Sequence, residues 1–206
     1  YKDVKDLSVY VKFKIVGVEN GYFMAWTTTP WTLPGNVGLA VGSDIDYVEA
    51  KVGNEVLVVA KERLSVLGEG YQVIAEHKGS EMVGMQYEPL YPYLSELLAD
   101  QKEKGRASMD TARHDSAESN AYKVYAADFV TTTDGTGIVH TAVMYGADDF
   151  DLGTKYNLPK FHTVNEEGKF INGTGFLEGR YVKEVDEKGK PTLAVDIIDD
   201  LTARGL

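Results

Sequence analysis

Val9, Val11, Phe13 and Ile15 alternate with Tyr10, Lys12 and Lys14, the period-two pattern of a half-buried strand. Asn20-Gly21 then gives a short hairpin signal, and residues 22–28 are expected to return as the partner strand. Residues 37–41, 47–52, 55–60 and 71–77 are further short runs rich in β-branched and aromatic side chains, separated by turn pairs such as Gly42-Ser43 and Gly53-Asn54. Extended structure resumes at 122–130, 138–141 and 161–164, and Glu167-Gly168 reads as a turn into 169–171. Helical spacing is rarer. Leu64 and Leu67 share a face within 61–67, with Gly68 placed to end it, and Ser95 is positioned to cap a helix through about residue 104. Residues 147–156 read as a helix whose first turn carries Asp148 and Asp149. Ala194, Ile197, Ile198 and Leu201 form the apolar stripe of a last helix, 193–204. Many short strands and few helices predict a mainly β, α+β fold: a barrel or sandwich with peripheral helices, in one domain over 1–206. A helix and an exposed polar insertion are expected at about 94–120.

Composition narrows the chemistry. With 43% apolar and 26% charged residues the chain reads as globular, and no apolar run reaches the roughly 20 residues of a membrane span. The absence of cysteine removes a disulfide framework and a thiolate nucleophile, and His77, His114, His140 and His162 match no zinc spacing, so no metal site is expected. A net charge of −11 opposes autonomous binding to a phosphate backbone, so any nucleic-acid contact must be local or assisted. Tyr1-Lys2-Asp3-Val4-Lys5 has neither an initiator methionine nor an apolar leader and reads as the start of an excised piece.

Two stretches carry candidate chemistry. Trp26-Thr-Thr-Thr-Pro-Trp-Thr-Leu-Pro-Gly-Asn36 places three hydroxyls where a strand gives way to prolines that cannot continue it. Strand alternation puts Thr27 and Thr29 on one side and Thr28 on the other. The second stretch, Gly135 to Phe150, brings a short strand bearing His140 and then a helix start bearing Asp149. Each has a plain structural explanation as well: β-propensity for the threonines, packing for His140 and Trp26, and the helix macrodipole for Asp148 and Asp149. No Walker loop, Gly-x-Ser-x-Gly elbow or His-Glu-x-x-His helix is present.

The combination of Trp26–Asn36 with Gly135-Thr-Gly-Ile-Val-His140 and Gly146-Ala-Asp-Asp149 closely resembles the connective-polypeptide editing domain of isoleucyl-tRNA synthetases. Ser8-Val-Tyr-Val-Lys-Phe-Lys14, Gly84-Met-Gln-Tyr-Glu-Pro-Leu90 and Ala126-Ala-Asp-Phe-Val-Thr-Thr132 extend the resemblance over most of the chain. Thr28-Thr29-Pro30-Trp31 stands where valyl and leucyl relatives carry Thr-Thr-Arg-Pro. The resemblance implies a β-barrel domain that hydrolyses the wrong aminoacyl ester, valyl-tRNA for isoleucine and also valyl-adenylate, as the second sieve that a side-chain pocket alone cannot provide. It implies that Asp149 pairs with the substrate α-ammonium, that His140 walls the side-chain pocket as a steric gate first and a general base second, and that Thr27, Thr28 and Thr29 hold the adenosine end and a water, Thr29 nearest the ester. Trp26 and Asn36 would shape the pocket. The implied partners are the tRNA 3′ aminoacyl end and the remainder of the synthetase in cis. The implied setting is cytoplasmic, with the isolated domain a monomer. No cofactor is implied for the domain, the full synthetase using ATP and Mg for aminoacylation. One departure is Ala142-Val143, where the family commonly has Ala-Pro, which frees the backbone between His140 and Asp149. A non-catalytic aminoacyl-adenosine binding module and a structural β-barrel of the translation machinery are the alternatives.

Overall fold

The computed structural model describes residues 7–103, 117 and 119–206. Its first element is the expected hairpin: β1 (Val9–Lys14) pairs antiparallel with β2 (Gly21–Thr27), Val9 opposite Thr27. The link is longer than a two-residue turn. Ile15 N–H donates to the Gly21 carbonyl at 2.8 Å, and only Asn20 of the Asn-Gly pair takes a left-handed φ of 52°. Val11 and Phe13 from β1 and Phe23, Ala25 and Thr27 from β2 turn inward, so the buried face of the hairpin ends on a threonine.

Two sheets form. The larger has the order β1-β2-β5-β4-β6, with β4 at Asp46–Val52, β5 at Glu55–Ala60 and β6 at Gln72–Lys78. The smaller has β3 (Gly38–Val41) between β7 (Lys123–Ala126) and β8 (Ile138–Thr141), parallel to the first and antiparallel to the second. Bridges Ile15–Tyr87 and Gln86–Lys123 stitch β1 to β7, and the Tyr47 hydroxyl, in β4, donates to the Gly137 carbonyl at 2.6 Å. The molecule is thus sheet-rich α+β, and among the named strands the ladder stays in two sheets joined by these bridges.

Among the described residues the α-helices include α1 (Gly79–Met82), α2 (Tyr93–Glu103), α3 (Ala147–Lys155) and α4 (Leu193–Ala203). Helix α2 starts ahead of Ser95, whose hydroxyl donates back to Pro92 at 2.8 Å instead of capping. Residues Lys61–Leu67 wind as a 3-10 helix, with none of them buried. Of the insertion expected at 105–120, only 117, 119 and 120 are described; they are helical and Ala117 is buried, and the rest lies outside the described residues. The extended runs expected at 161–164 and 169–171 reduce to single bridges, Val164–Phe170 and Lys169–Tyr181. Helix α4 buries Leu193, Ile197 and Leu201 at i, i+4 and i+8, and packs against a 3-10 helix, Pro30–Gly35. That contact fixes the segment following the threonine row.

Candidate functional site

Strand β2 delivers Thr27 to the protein interior, and the chain then breaks at Pro30 and Pro34, which cannot donate to a ladder, into the Pro30–Gly35 helix. Beyond Thr27, the last residue of β2, the chain turns so that Thr27 and Thr29 meet, their hydroxyls 3.2 Å apart, while Thr28 is exposed. Thr29 N–H also donates to Thr27 Oγ1 at 3.1 Å. The turn brings up a fourth hydroxyl, that of Thr32, which donates to the Thr29 carbonyl at 2.8 Å and lies 3.3 Å from Thr29 Oγ1.

His140 enters from β8, opposite Leu39 in the register, with Nε2 3.1 Å from Thr32 Oγ1. Since the Thr32 hydroxyl proton is already given to the Thr29 carbonyl, hydrogen-bond bookkeeping makes Thr32 the acceptor and Nε2 the protonated ring nitrogen. Nδ1 is then a bare nitrogen, buried without a partner. Only 8% of His140 is exposed, and that burial pushes its pKa down to about 4, so the ring is neutral at physiological pH.

Asp149 lies in the first turn of α3. Burial raises its pKa to about 6, countered by the Ala142 N–H that donates to its carboxylate and reinforced by the charge of Asp148. The carboxylate is therefore mostly ionised at pH 7 yet poorly solvated, a state that favours a cation arriving from outside. A Cβ on Gly146 would stand 2.7 Å from Asp149 Oδ2, so a side chain there would displace the carboxylate.

One cavity of about 410 Å³ collects these groups. Trp26, Thr27, Thr28, Thr29, His140 and Asp149 all line it. Asn36 does not: it is buried with its amide donating to Gly38 at 2.9 Å and its oxygen accepting the Tyr87 hydroxyl at 2.6 Å, which makes it a fastener for the start of β3. Thr32 and Tyr145 line the cavity and were missed by the motif reading, although Thr32 stands three residues beyond Thr29, the repeat of a 3-10 turn. Arg63, from the 3-10 helix after β5, holds the rim by donating to the Gly135 and Thr133 carbonyls at 2.8 and 3.2 Å. Nothing near residue 63 in the sequence signals that contact. Among the described residues no group of three or more His, Asp or Glu is placed to hold a metal ion.

No family model matches the chain. Individual proteins do. It is 45% identical over 189 residues to the isoleucine–tRNA ligase of Clostridium tetani, covering 91% of this chain and 16% of that protein. Identity is 43% over 207 residues to the isoleucine–tRNA ligase of Bacillus thuringiensis, covering 100% of this chain and 17% of the relative. The chain belongs to the isoleucine–tRNA ligase family. It spans 16–17% of the length of these curated relatives. The crystal structure of GlLeuRS-CP1 aligns with a TM-score of 0.52 at 17% identity over 74% of this chain and 65% of that one, a likeness of fold. No helix among the described residues is long and apolar enough to cross a membrane.

Val143 stands where the resemblance leads to the expectation of a proline. Val143 is buried, and its methyl carbons occupy the space over Gly153 of α3, 2.5 and 2.6 Å from where a Cβ on that glycine would stand.

Proposed function

We propose that this domain hydrolyses the ester of mischarged tRNA, valyl-tRNA for isoleucine and also valyl-adenylate, as the proofreading site of an isoleucine–tRNA ligase. The observation that carries this reading is the convergence, in one cavity of a chain from this family, of a hydroxyl row, a neutral histidine and a partly desolvated carboxylate. An aminoacyl ester is an activated acyl group, so placing a water beside it supplies much of the rate, and no strong nucleophile or metal is required. Asp149 takes the α-ammonium, a charge-assisted contact that separates aminoacyl esters from other acyl groups. Thr27, Thr28 and Thr29 take the adenosine end and the water, Thr29 closest to the ester, and Trp26 walls the pocket. His140 acts by bulk, since a group with a pKa of about 4 is a weak base at pH 7 and its Nε2 proton is committed to Thr32. The partners are the tRNA 3′ end and the remaining synthetase in cis, in a cytoplasmic setting, with ATP and Mg serving only the aminoacylation step elsewhere in the full enzyme.

The test is deacylation of valyl-tRNA and isoleucyl-tRNA, both on the isoleucine acceptor, by the domain and by His140→Ala. The parent is expected to cleave the valyl ester preferentially, and His140→Ala to begin cleaving the isoleucyl ester. Failure on both esters, with retained binding of a non-hydrolysable aminoacyl-adenosine, would make the domain a binding module.

A further inference from the structure

Tyr145 joins three segments at the back of the cavity. Its phenol oxygen accepts the Thr163 and Val164 backbone N–H groups at 2.7 and 3.0 Å and gives its proton to Thr163 Oγ1 at 2.8 Å, so its hydrogen-bonding capacity is filled. Thr163 is fully buried. The ring stacks edge-on to Trp31 with centroids 5.3 Å apart, and its Cε2 would be 3.1 Å from a Cβ on Gly35. The backbone of the same residue closes a turn, Tyr145 N–H to the Ala142 carbonyl at 2.9 Å. Both groups that seat Asp149 lie at the ends of this turn: the Ala142 N–H that donates to the carboxylate, and Gly146, whose missing side chain makes room for it.

From this geometry we infer that Tyr145 is a positioning residue, its phenol oxygen pinning the 142–146 turn to residues 163–164 so that Ala142 and Gly146 hold the Asp149 carboxylate in the cavity. It acts through Asp149 and not on the substrate. Its consequence for catalysis rests on the proofreading reading above, whereas the anchoring itself does not.

Amide hydrogen exchange separates the two. In Tyr145→Phe, Thr163 and Val164 lose their acceptor, and exchange at Ala142 is expected to speed about five- to tenfold while Leu39 in β3 keeps its parent protection. If Thr163 and Val164 alone accelerate and Ala142 does not, Tyr145 is only a fastener for residues 163–164 and the inference is wrong. Should Tyr145→Phe not fold, Thr163→Val removes one of the three contacts, and a smaller acceleration at Ala142 is expected, with no change there overturning the proposal. A second readout is ligand discrimination: Tyr145→Phe is expected to weaken binding of a non-hydrolysable valyl-adenosine amide while sparing its deaminated analogue, and equal weakening of both contradicts positioning. A parent domain that binds neither analogue counts against the proofreading reading, and Ala142 exchange then decides the positioning question alone.

Discussion

The threonine wall of the cavity, residues 27–32, is tied by hydrogen bonds between groups two or three residues apart: Thr27 to Thr29, Thr29 to Thr32. The facing wall, residues 140–149, depends on partners farther along the chain, Tyr145 on Thr163 and Val143 on Gly153. Local hydrogen bonds form with little loop closure, whereas the facing wall exists only once β8, α3 and residues 163–164 have docked. The two walls also differ in their response to protons. The facing wall carries both a histidine kept neutral by burial and a carboxylate whose ionised form burial disfavours, whereas the threonine wall carries no group that titrates near neutral pH.

The largest effect expected from breaking this pairing is on catalysis. Asp149→Ala removes the partner of the α-ammonium and should lower kcat/KM for valyl-tRNA by about 3 kcal/mol, on the order of 100-fold, in single-turnover deacylation. Retention of more than half the parent rate would remove Asp149 from the site. Lowering the pH of the parent through about 6 should reduce activity in the same sense, as Asp149 becomes protonated.

Stability against pH sharpens the contrast. For His140 the folded pKa, about 4, lies below the ordinary 6.5, so the stability linked to it is complete above 6.5 and lost as pH falls toward 4. For Asp149 the folded pKa, about 6, lies above 3.8, so its contribution is complete below 3.8 and lost as pH rises through 6. Each amounts to at most about 3 kcal/mol and the two nearly cancel between these limits. Urea titrations should therefore show His140→Gln growing more stable on acidification from pH 6.5 to 4 relative to the parent, and Asp149→Asn growing less so. Parallel curves for both variants would show that the two groups do not titrate as described.

Two smaller perturbations test each wall from within. Gly146→Ala puts a methyl against Asp149 Oδ2, where 2.7 Å is available, and should cost roughly tenfold in valyl-ester hydrolysis, about 1.4 kcal/mol, while changing Tm little. Thr32→Val leaves the His140 Nε2–H without its acceptor and should destabilise the fold by about 1 kcal/mol in denaturant titration. An unchanged midpoint would show that the Thr32–His140 contact does not support the fold.

Period two located β1 and the apolar stripe located α4, because an element with one buried face repeats its apolar residues at its own period; the hairpin signal located β2, and β-branched and aromatic runs between turns located β4 and β5. Thr27 and Thr29 meet as expected, but through the turn after β2, where the Thr29 N–H bonds back to Thr27 Oγ1, and not through strand alternation. Departures arose where a distant segment supplies the partner: Asn36 points to Tyr87 instead of the cavity, and Ser95 gives its proton back to Pro92. Thr32, Tyr145 and Arg63 escaped notice because a threonine, a tyrosine and an arginine in ordinary surroundings carry no signature until the chain brings them to His140, Thr163 and Gly135.

Residue order alone thus determined the strands, the breaking of β2 at two prolines, the inward row of hydroxyls and the family to which the motifs belong. Tertiary structure decided which groups share the cavity, which histidine nitrogen carries the proton, and how far burial moves His140 and Asp149 from their ordinary pKa values. The physical reason is range: propensity and periodicity act within a few residues, whereas desolvation and hydrogen-bond assignment depend on every element packed around a group.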